Sequence, residues 1–263
     1  GYRGLTEDAP GWPGDLDDLL RGGDLTAAAE ALARGEFVDP ESVEPALLFR
    51  RAGKVLCVGL NYADHVTESN HQVPDFPTVF ARFNTNLVPH GRPLGRPRAS
   101  HMLDYEGEFV AVIGKAGRAI PVEQALDHVA GYTVFNDGSI RDFQLRTPQW
   151  TIGKNFDDTG AMGPEFVTAD ELPPGAKGLR LTTRLNGEVL QDASTDDLIF
   201  SVADLVAKLS IGMRLEPGDL IVTGTPAGVG GARNPQIWMK PGDVCEIEVE
   251  GIGVLRNPII AEA

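Results

Sequence analysis

Glu106 and Glu108 are the pair in this 263-residue chain whose type and spacing point most directly to chemistry. They stand in Leu103-Asp104-Tyr105-Glu106-Gly107-Glu108-Phe109-Val110-Ala111-Val112-Ile113-Gly114, at the mouth of an apolar run that reads as a strand. Side chains alternate across a strand, so residues two apart share a face and two carboxylates can converge on one cation. Gly107 between them adds no side chain. If Ala130 to Asn136 is the next strand, Asp137 at its end supplies a third carboxylate. Three carboxylates and water form a hard oxygen site, suited to Mg²⁺ or Mn²⁺, with Ca²⁺ as a substitute, rather than to zinc. Glu246, Glu248 and Glu250 repeat the spacing and read equally well as the solvated face of a strand, so spacing alone leaves the choice open.

Other residues could serve such a centre. If Ala63 to Ser69 is helical, His65 and Glu68 lie three apart on one face, which suits a base and the carboxylate that orients it. A capped surface helix with an incidental pair accounts for the same residues. Arg141, Asp142 and Gln144 follow Asp137 closely enough to contact a substrate or to brace the ligands. Lys154 sits between Gly153 and Asn155-Phe156, although a lone lysine is ordinarily just solvated. Thr223-Gly224-Thr225-Pro226-Ala227-Gly228-Val229-Gly230-Gly231 is glycine-rich but lacks the Gly-Lys-Ser/Thr ending of a phosphate-binding loop. Its glycines would let backbone amides and threonine hydroxyls come close to an oxyanion or a carboxylate.

The elements that must hold these residues are legible in outline. Residues 1–50 read as a small helical and irregular segment, in which Asp24 caps a helix from Leu25 to Arg34 whose alanine-rich face suits close packing on the body or a dimer contact. Residues 51–263 read as the main unit, which carries the candidate residues. Val55 to Leu60 is a short buried strand that delivers Asn61 to Glu68. Asn70 to Pro77 is a proline-bearing loop placed as a lid, and Thr78 to Phe83 returns to the sheet. A short amphipathic helix spans Val122 to Val129. Asn186-Gly187 closes a hairpin between Leu179–Leu185 and Glu188–Gln191, and Ser201 with Asp204 caps a helix to about Ser210.

Composition excludes some roles. Acidic residues number 38 against 23 basic, a net charge of −15, which disfavours nucleic-acid or anionic-membrane binding through the general field. A small anionic substrate would need a local cationic pocket or a bound metal ion. No apolar run reaches the length of a membrane span, and no basic segment followed by an apolar one opens the chain. The two cysteines, Cys57 and Cys245, lie in apolar runs and read as buried thiols of a reducing compartment, the cytoplasm.

Taken together, the segments resemble the fumarylacetoacetate hydrolase family from about Lys54 to Pro258. The matching pieces are Asn61-Tyr62 through His65 and Glu68, Asp104 through Ile113, Gly131 through Gln144, Gly153 through Phe156, Asn186-Gly187-Glu188, Thr223 through Gly230 and Gly251 through Asn257. The resemblance implies an α+β fold, a mixed β-roll or β-sandwich core with peripheral helices, normally a homodimer. It implies that Glu106, Glu108 and Asp137 are ligands of Mg²⁺ or Mn²⁺, that His65 and Glu68 form a dyad on a lid helix, and that Lys154 is the active-site lysine. Arg82, Arg141, Gln144 and Thr225 then become substrate contacts. Arg82 stands where many members carry lysine, Phe83 where proline is common, and Gly138 with Ile140 where a bulkier residue and alanine are usual, which leaves the substrate's identity open. The activity expected from the resemblance is metal-dependent hydrolysis of a carbon–carbon bond in a 2,4-dioxo acid, giving pyruvate and a carboxylic acid. Its rivals are oxaloacetate decarboxylation, isomerisation or hydration of a related oxo acid, and noncatalytic binding of an oxo acid or a divalent ion.

Overall fold

The computed structural model of the chain describes residues 2–68 and 72–262. Ser69, the expected end of the lid helix, and Asn70, the expected start of the lid loop, lie outside the described residues. Two mixed sheets build an α+β core. The larger has seven strands in the order Thr78–Ala81, Val55–Gly59, Leu220–Val222, Gly107–Ile113, Val129–Asn136, Gly160–Thr168 and Leu87–Pro89. The smaller has five, in the order Glu188–Ser194, Arg180–Leu185, Val244–Val249, Gly253–Ala261 and Leu94–Arg96.

The run after Gly107 is continuously apolar because its strand is covered on both faces. Phe109, Ala111 and Ile113 join Leu181, Ile247, Val249 and Leu255 of the smaller sheet in one core. Val110 and Val112 point the other way, into a second core with Val55, Cys57, Phe135, Leu220 and Val222. A strand buried on both sides loses the polar alternation that a half-exposed strand would show. The second core is closed by the N-terminal segment, whose Leu20 and Phe49 pack into it beside Ala52. Phe49 is fully buried and meets Phe166 edge-on, with ring centroids 5.7 Å apart. The alanine-rich helix runs Leu25–Ala33, capped by Asp24 as expected, but it buries only Ala28 and is otherwise largely exposed, because the segment docks through Leu20 and Phe49 instead.

Most other elements match the reading of the chain, with small changes of extent. The Asn186-Gly187 hairpin joins Arg180–Leu185 to Glu188–Ser194, the Ser201–Asp204 capping box starts a helix over Val202–Gly212, and Val122–His128 winds as a 3₁₀ helix. Both cysteines are buried free thiols; burial pushes Cys57 well up, and raises Cys245 to about 12. Among the described residues no helix is long and apolar enough to cross a membrane.

Topology concentrates chain ends at one edge of the larger sheet. Val55–Gly59 and Leu220–Val222 run parallel, and Gly107–Ile113 and Val129–Asn136 pair antiparallel with Gly107 opposite Asn136. The C-terminal ends of three strands therefore meet the N-terminal end of the fourth. Asn61 ties this edge together: its amide donates to the carbonyls of Thr223 (2.7 Å) and Phe200 (3.1 Å) and accepts from the Phe200 amide (2.8 Å).

Candidate active site

Glu106, Glu108 and Asp137 meet at that edge, each buried, with one carboxylate oxygen from each lying within 4.8 Å of the others. They get there by alternation. Glu108 shares its face with Val110 and Val112, and Asp137 follows Asn136, whose side-chain oxygen accepts from the Glu106 amide at 3.2 Å. Gly107 can only be glycine, since a β-carbon there would lie 2.1 Å from the Thr183 hydroxyl. Glu246, Glu248 and Glu250 take the other path. Glu246 and Glu248 pair with Arg256 and Arg184 across the smaller sheet, as a solvated face does.

Lys154 lies against the three carboxylates. Its ammonium donates to Glu106 Oε2 at 2.8 Å and Asp137 Oδ2 at 2.6 Å, with only 2% of its side chain exposed. Burial alone would lower its pKa, but Asp137 and Glu106 outweigh that and raise it, so Lys154 is a fixed cation and not a base. Glu106 behaves in the mirror sense: burial opposes its ionisation, yet Lys154 and Arg141 hold it at about 2. Glu108 has no such partner. Burial, then the charges of Asp137 and Glu106, push it well above the usual carboxylate range, against which the Gly224 amide, donating at 2.5 Å, is a minor offset. Of the three buried carboxylates Glu108 is thus the one that no cation pairs with, and every donor is a hard oxygen. That chemistry fits a divalent ion of the Mg²⁺ or Mn²⁺ type, held by Glu106, Glu108 and Asp137.

Beside the carboxylates opens a cavity of about 420 Å³, whose lining includes Glu106, Glu108, Lys154, Arg141, Gln144, Thr225, His65 and Glu68. The helix Ala63–Glu68 brings in the last two. His65 Nδ1 stands 3.4 Å from Glu68 Oε2, and His65 is near enough to Glu106 to help hold that carboxyl low. The Gly228 amide donates to both oxygens of Glu68 at 3.0 Å, which fixes the carboxylate facing the imidazole. Burial tends to raise Glu68, but the bonds from His65 and Gly228 prevail and lower it. The remaining walls are mostly apolar, with Phe80, Met102, Trp150 and Trp238, and also carry Asp142 and Gln236.

Two expected substrate contacts are placed otherwise. Arg82 does not line the cavity: it lies behind Asp137, its guanidinium donating to Asp137 Oδ1 (2.6 Å), the Gly138 carbonyl (3.0 Å), the Thr159 hydroxyl (3.0 Å) and Asn86 (3.1 Å). A fully enclosed cation with those acceptors holds Asp137 from behind and presents no face to the cavity. Thr225 does line the cavity, but its hydroxyl donates to the Gly107 carbonyl (3.0 Å) and accepts from Gln191 (2.8 Å), so its hydrogen is not offered to a carboxylate. Gln144 remains a contact candidate; its Oε1 accepts from Arg141 Nη1 at 2.9 Å and its Nε2 has no partner among the described residues.

The glycine-rich loop does bind carboxylates, and they are the protein's own. Gly224 serves Glu108, Gly228 serves Glu68, and Gly230 and Gly231 each donate at 2.8 Å to Asp104. A β-carbon would lie 2.1 Å from the Leu190 carbonyl at Gly228, where φ is +103°, and 1.9 Å from the Ile237 carbonyl at Gly230. Asp104, fully buried, had no role in the sequence reading; the clue was a third acid two residues before Glu106, in step with it.

Comparison with known proteins shows the family of the chain. Residues 54–260 match the family model described as fumarylacetoacetate (FAA) hydrolase C-terminal. The chain is 39% identical over 256 residues to the human oxaloacetate tautomerase FAHD2A, mitochondrial, covering 95% of this chain and 81% of that protein. It is 42% identical over 208 residues to oxaloacetate tautomerase YisK of Bacillus subtilis, covering 78% of this chain and 69% of the relative. Among solved structures, the fumarylpyruvate hydrolase of Pseudomonas aeruginosa, in complex with Mn²⁺ and pyruvate, superposes with a TM-score of 0.73 at 35% identity, over 80% of this chain and 91% of that one. A buried carboxylate triad on this sheet edge and a family model spanning most of the sequence identify the chain as a member of the fumarylacetoacetate hydrolase family.

Proposed function

We propose that this protein is a divalent-metal-dependent hydrolase that cleaves a 2,4-dioxo acid of the acylpyruvate type into pyruvate and a carboxylic acid. The observation that carries the reading is the His65–Glu68 pair, locked by the Gly228 amide, in the same cavity as the three buried carboxylates and Lys154. A bound Mg²⁺ or Mn²⁺ supplies Lewis-acid polarisation of the oxo-acid end. Glu68 orients the His65 imidazole through Nδ1, and the imidazole takes the proton of the water that attacks the distal carbonyl. Lys154, a permanent cation, and the Gln144 amide nitrogen stabilise negative charge as it grows on the substrate's oxygens. The walls formed by Trp150, Trp238 and Met102 give an acyl group an apolar surface and shield the reacting end from bulk water. The same reading makes the substrate a small anionic oxo acid and the protein a cytoplasmic homodimer, its buried thiols suiting a reducing compartment.

A second reading, isomerisation between the keto and enol forms of oxaloacetate, is favoured by the names of the two curated relatives. It uses His65 to move a proton on carbon instead of on water. One set of assays separates the two: pyruvate release from acylpyruvates, and tautomer exchange and CO₂ release from oxaloacetate, each with Mg²⁺ and with EDTA. Under the first reading the wild type cleaves acylpyruvates, and His65→Ala loses about 10² to 10⁴ in that rate. Its effect on oxaloacetate decarboxylation, which needs no activated water, is far smaller. A wild type that exchanges oxaloacetate tautomers and cleaves no acylpyruvate would establish the second reading.

A further inference from the structure

We infer that Asp104 is a positioning residue that sets the strength of the metal site by drawing the charge of Arg141 away from Glu106. This rests on the reading of Glu106, Glu108 and Asp137 as cation ligands. Asp104 is fully buried and its carboxylate gathers three donors: the amides of Gly230 and Gly231, and Arg141 Nε at 2.7 Å. The two amides fix the carboxylate to the loop, so it has little freedom to follow Arg141 if the arginine moves. Arg141 is in turn divided between two acids, because its Nη1 lies 2.6 Å from Glu106 Oε1 while Nε holds Asp104. Its Nη2 is buried without a partner, so Asp104 and Glu106 are the two acids that anchor the guanidinium, with the neutral Gln144 Oε1 also accepting from Nη1 at 2.9 Å.

The consequence for the ion follows from charge. A carboxylate facing an undivided guanidinium is a poorer ligand, since the cation it would bind must compete with the positive charge already there. With Asp104 in place the guanidinium serves two carboxylates and weighs less on Glu106. Neutralise Asp104 and the whole charge turns toward Glu106, which is also in the grip of Lys154. Groups that hold a ligand from behind typically change metal affinity 10- to 100-fold when altered.

The test is Mg²⁺ titration by calorimetry on wild type, Asp104→Asn, Arg141→Met and the double variant, with thermal melting to confirm each is folded. Asp104→Asn is expected to weaken Mg²⁺ binding by roughly 10- to 100-fold. Arg141→Met is expected to bind Mg²⁺ as well as the wild type or more tightly. In the double variant the Asp104 change should cost almost nothing, because the arginine through which it acts is gone. Equal weakening by Asp104→Asn in both backgrounds would overturn the inference and make Asp104 a simple prop for the loop. Arg141→Met binding Mg²⁺ as weakly as Asp104→Asn would overturn it as well and, should Asp104→Asn fail to fold, decides the matter alone. A wild type that binds no Mg²⁺ would instead defeat the metal reading itself, and this inference with it.

Discussion

Replacing Lys154 by methionine tests the charge balance of the site most directly, because the change keeps the chain length and apolar stem while deleting one buried cation. The ammonium stands 2.8 Å from Glu106 Oε2 and 2.6 Å from Asp137 Oδ2 with 2% of its side chain exposed, so both partners would be left as buried carboxylates short of a neighbour. Arg82 would still hold Asp137 and Arg141 would still hold Glu106, but Arg141 is shared with Asp104 and Glu108 pairs with no cation. Removing one partner of a buried ion pair costs about 3–5 kcal/mol. For a chain of this size each kcal/mol moves the melting temperature about 2–4 °C, so in EDTA the variant should melt roughly 6–20 °C below the wild type. Mg²⁺ replaces the missing charge and no longer competes with the ammonium. At a hundredfold excess over Kd a ligand adds about 2.7 kcal/mol to any state that binds it, and the variant, binding more tightly, gains more than the wild type at the same concentration. The gap in Tm should therefore narrow steadily as Mg²⁺ is added, while hydrolysis stays lost. Scanning calorimetry across a Mg²⁺ series reads this out. A gap that stays constant across the series, or a variant that melts with the wild type in EDTA, would refute the balance described here.

Two other outcomes follow from the same site. Glu106→Gln or Asp137→Asn should weaken Mg²⁺ binding and abolish activity with the fold intact, whereas Glu248→Gln, on the solvated face with Arg184, should change neither; calorimetry and turnover on the three variants check this. Mg²⁺ affinity should rise with pH, because burial and its acidic neighbours raise Glu108 and the ion must displace its proton; titrations in buffers of different ionisation enthalpy would report the proton released, and a pH-independent Kd would contradict it. For the stability of the metal-free fold the sign at Glu108 is the opposite. With metal withheld, Glu108 contributes stability below the ordinary carboxylate value that is lost as pH rises through its raised one, whereas Glu106, held at about 2, contributes above that ordinary value and loses it as pH falls toward 2.

What could be read in the chain before the structure was whatever has a local signature. Alternation placed Glu106 and Glu108 on one face, the apolar run ending at Asn136 placed Asp137, and helical spacing paired His65 with Glu68. The same rules could not separate Glu106 and Glu108 from Glu246, Glu248 and Glu250, because the difference lies in what covers the strand. One is buried between two cores and the other faces water. The bond from Gly230 to Asp104 spans 126 residues and that from Gly228 to Glu68 spans 160, and pairings at such separation leave no trace in either neighbourhood. The glycine loop was recognisable as an acceptor of anions, yet its composition does not say that the anions are internal. The placement of Arg82 was hidden for a related reason: a cation near an acid can face the cavity or hold the acid from behind, and its enclosure by Asn86, Gly138 and Thr159 is visible only in the fold.

Glu108, Glu68 and Asp104 each take at least one main-chain amide from the same short loop. A peptide N–H is the same whatever residue carries it, so the reacting centre is insulated from drift in the surrounding side chains provided the glycines persist. The walls are not insulated in this way, because Trp150, Trp238 and Met102 act through their shapes. Changes to those walls can therefore reshape the cavity while the carboxylates held by residues 223–231 stay in register. Laboratory evolution toward a new substrate should begin at those walls and leave residues 223–231 untouched.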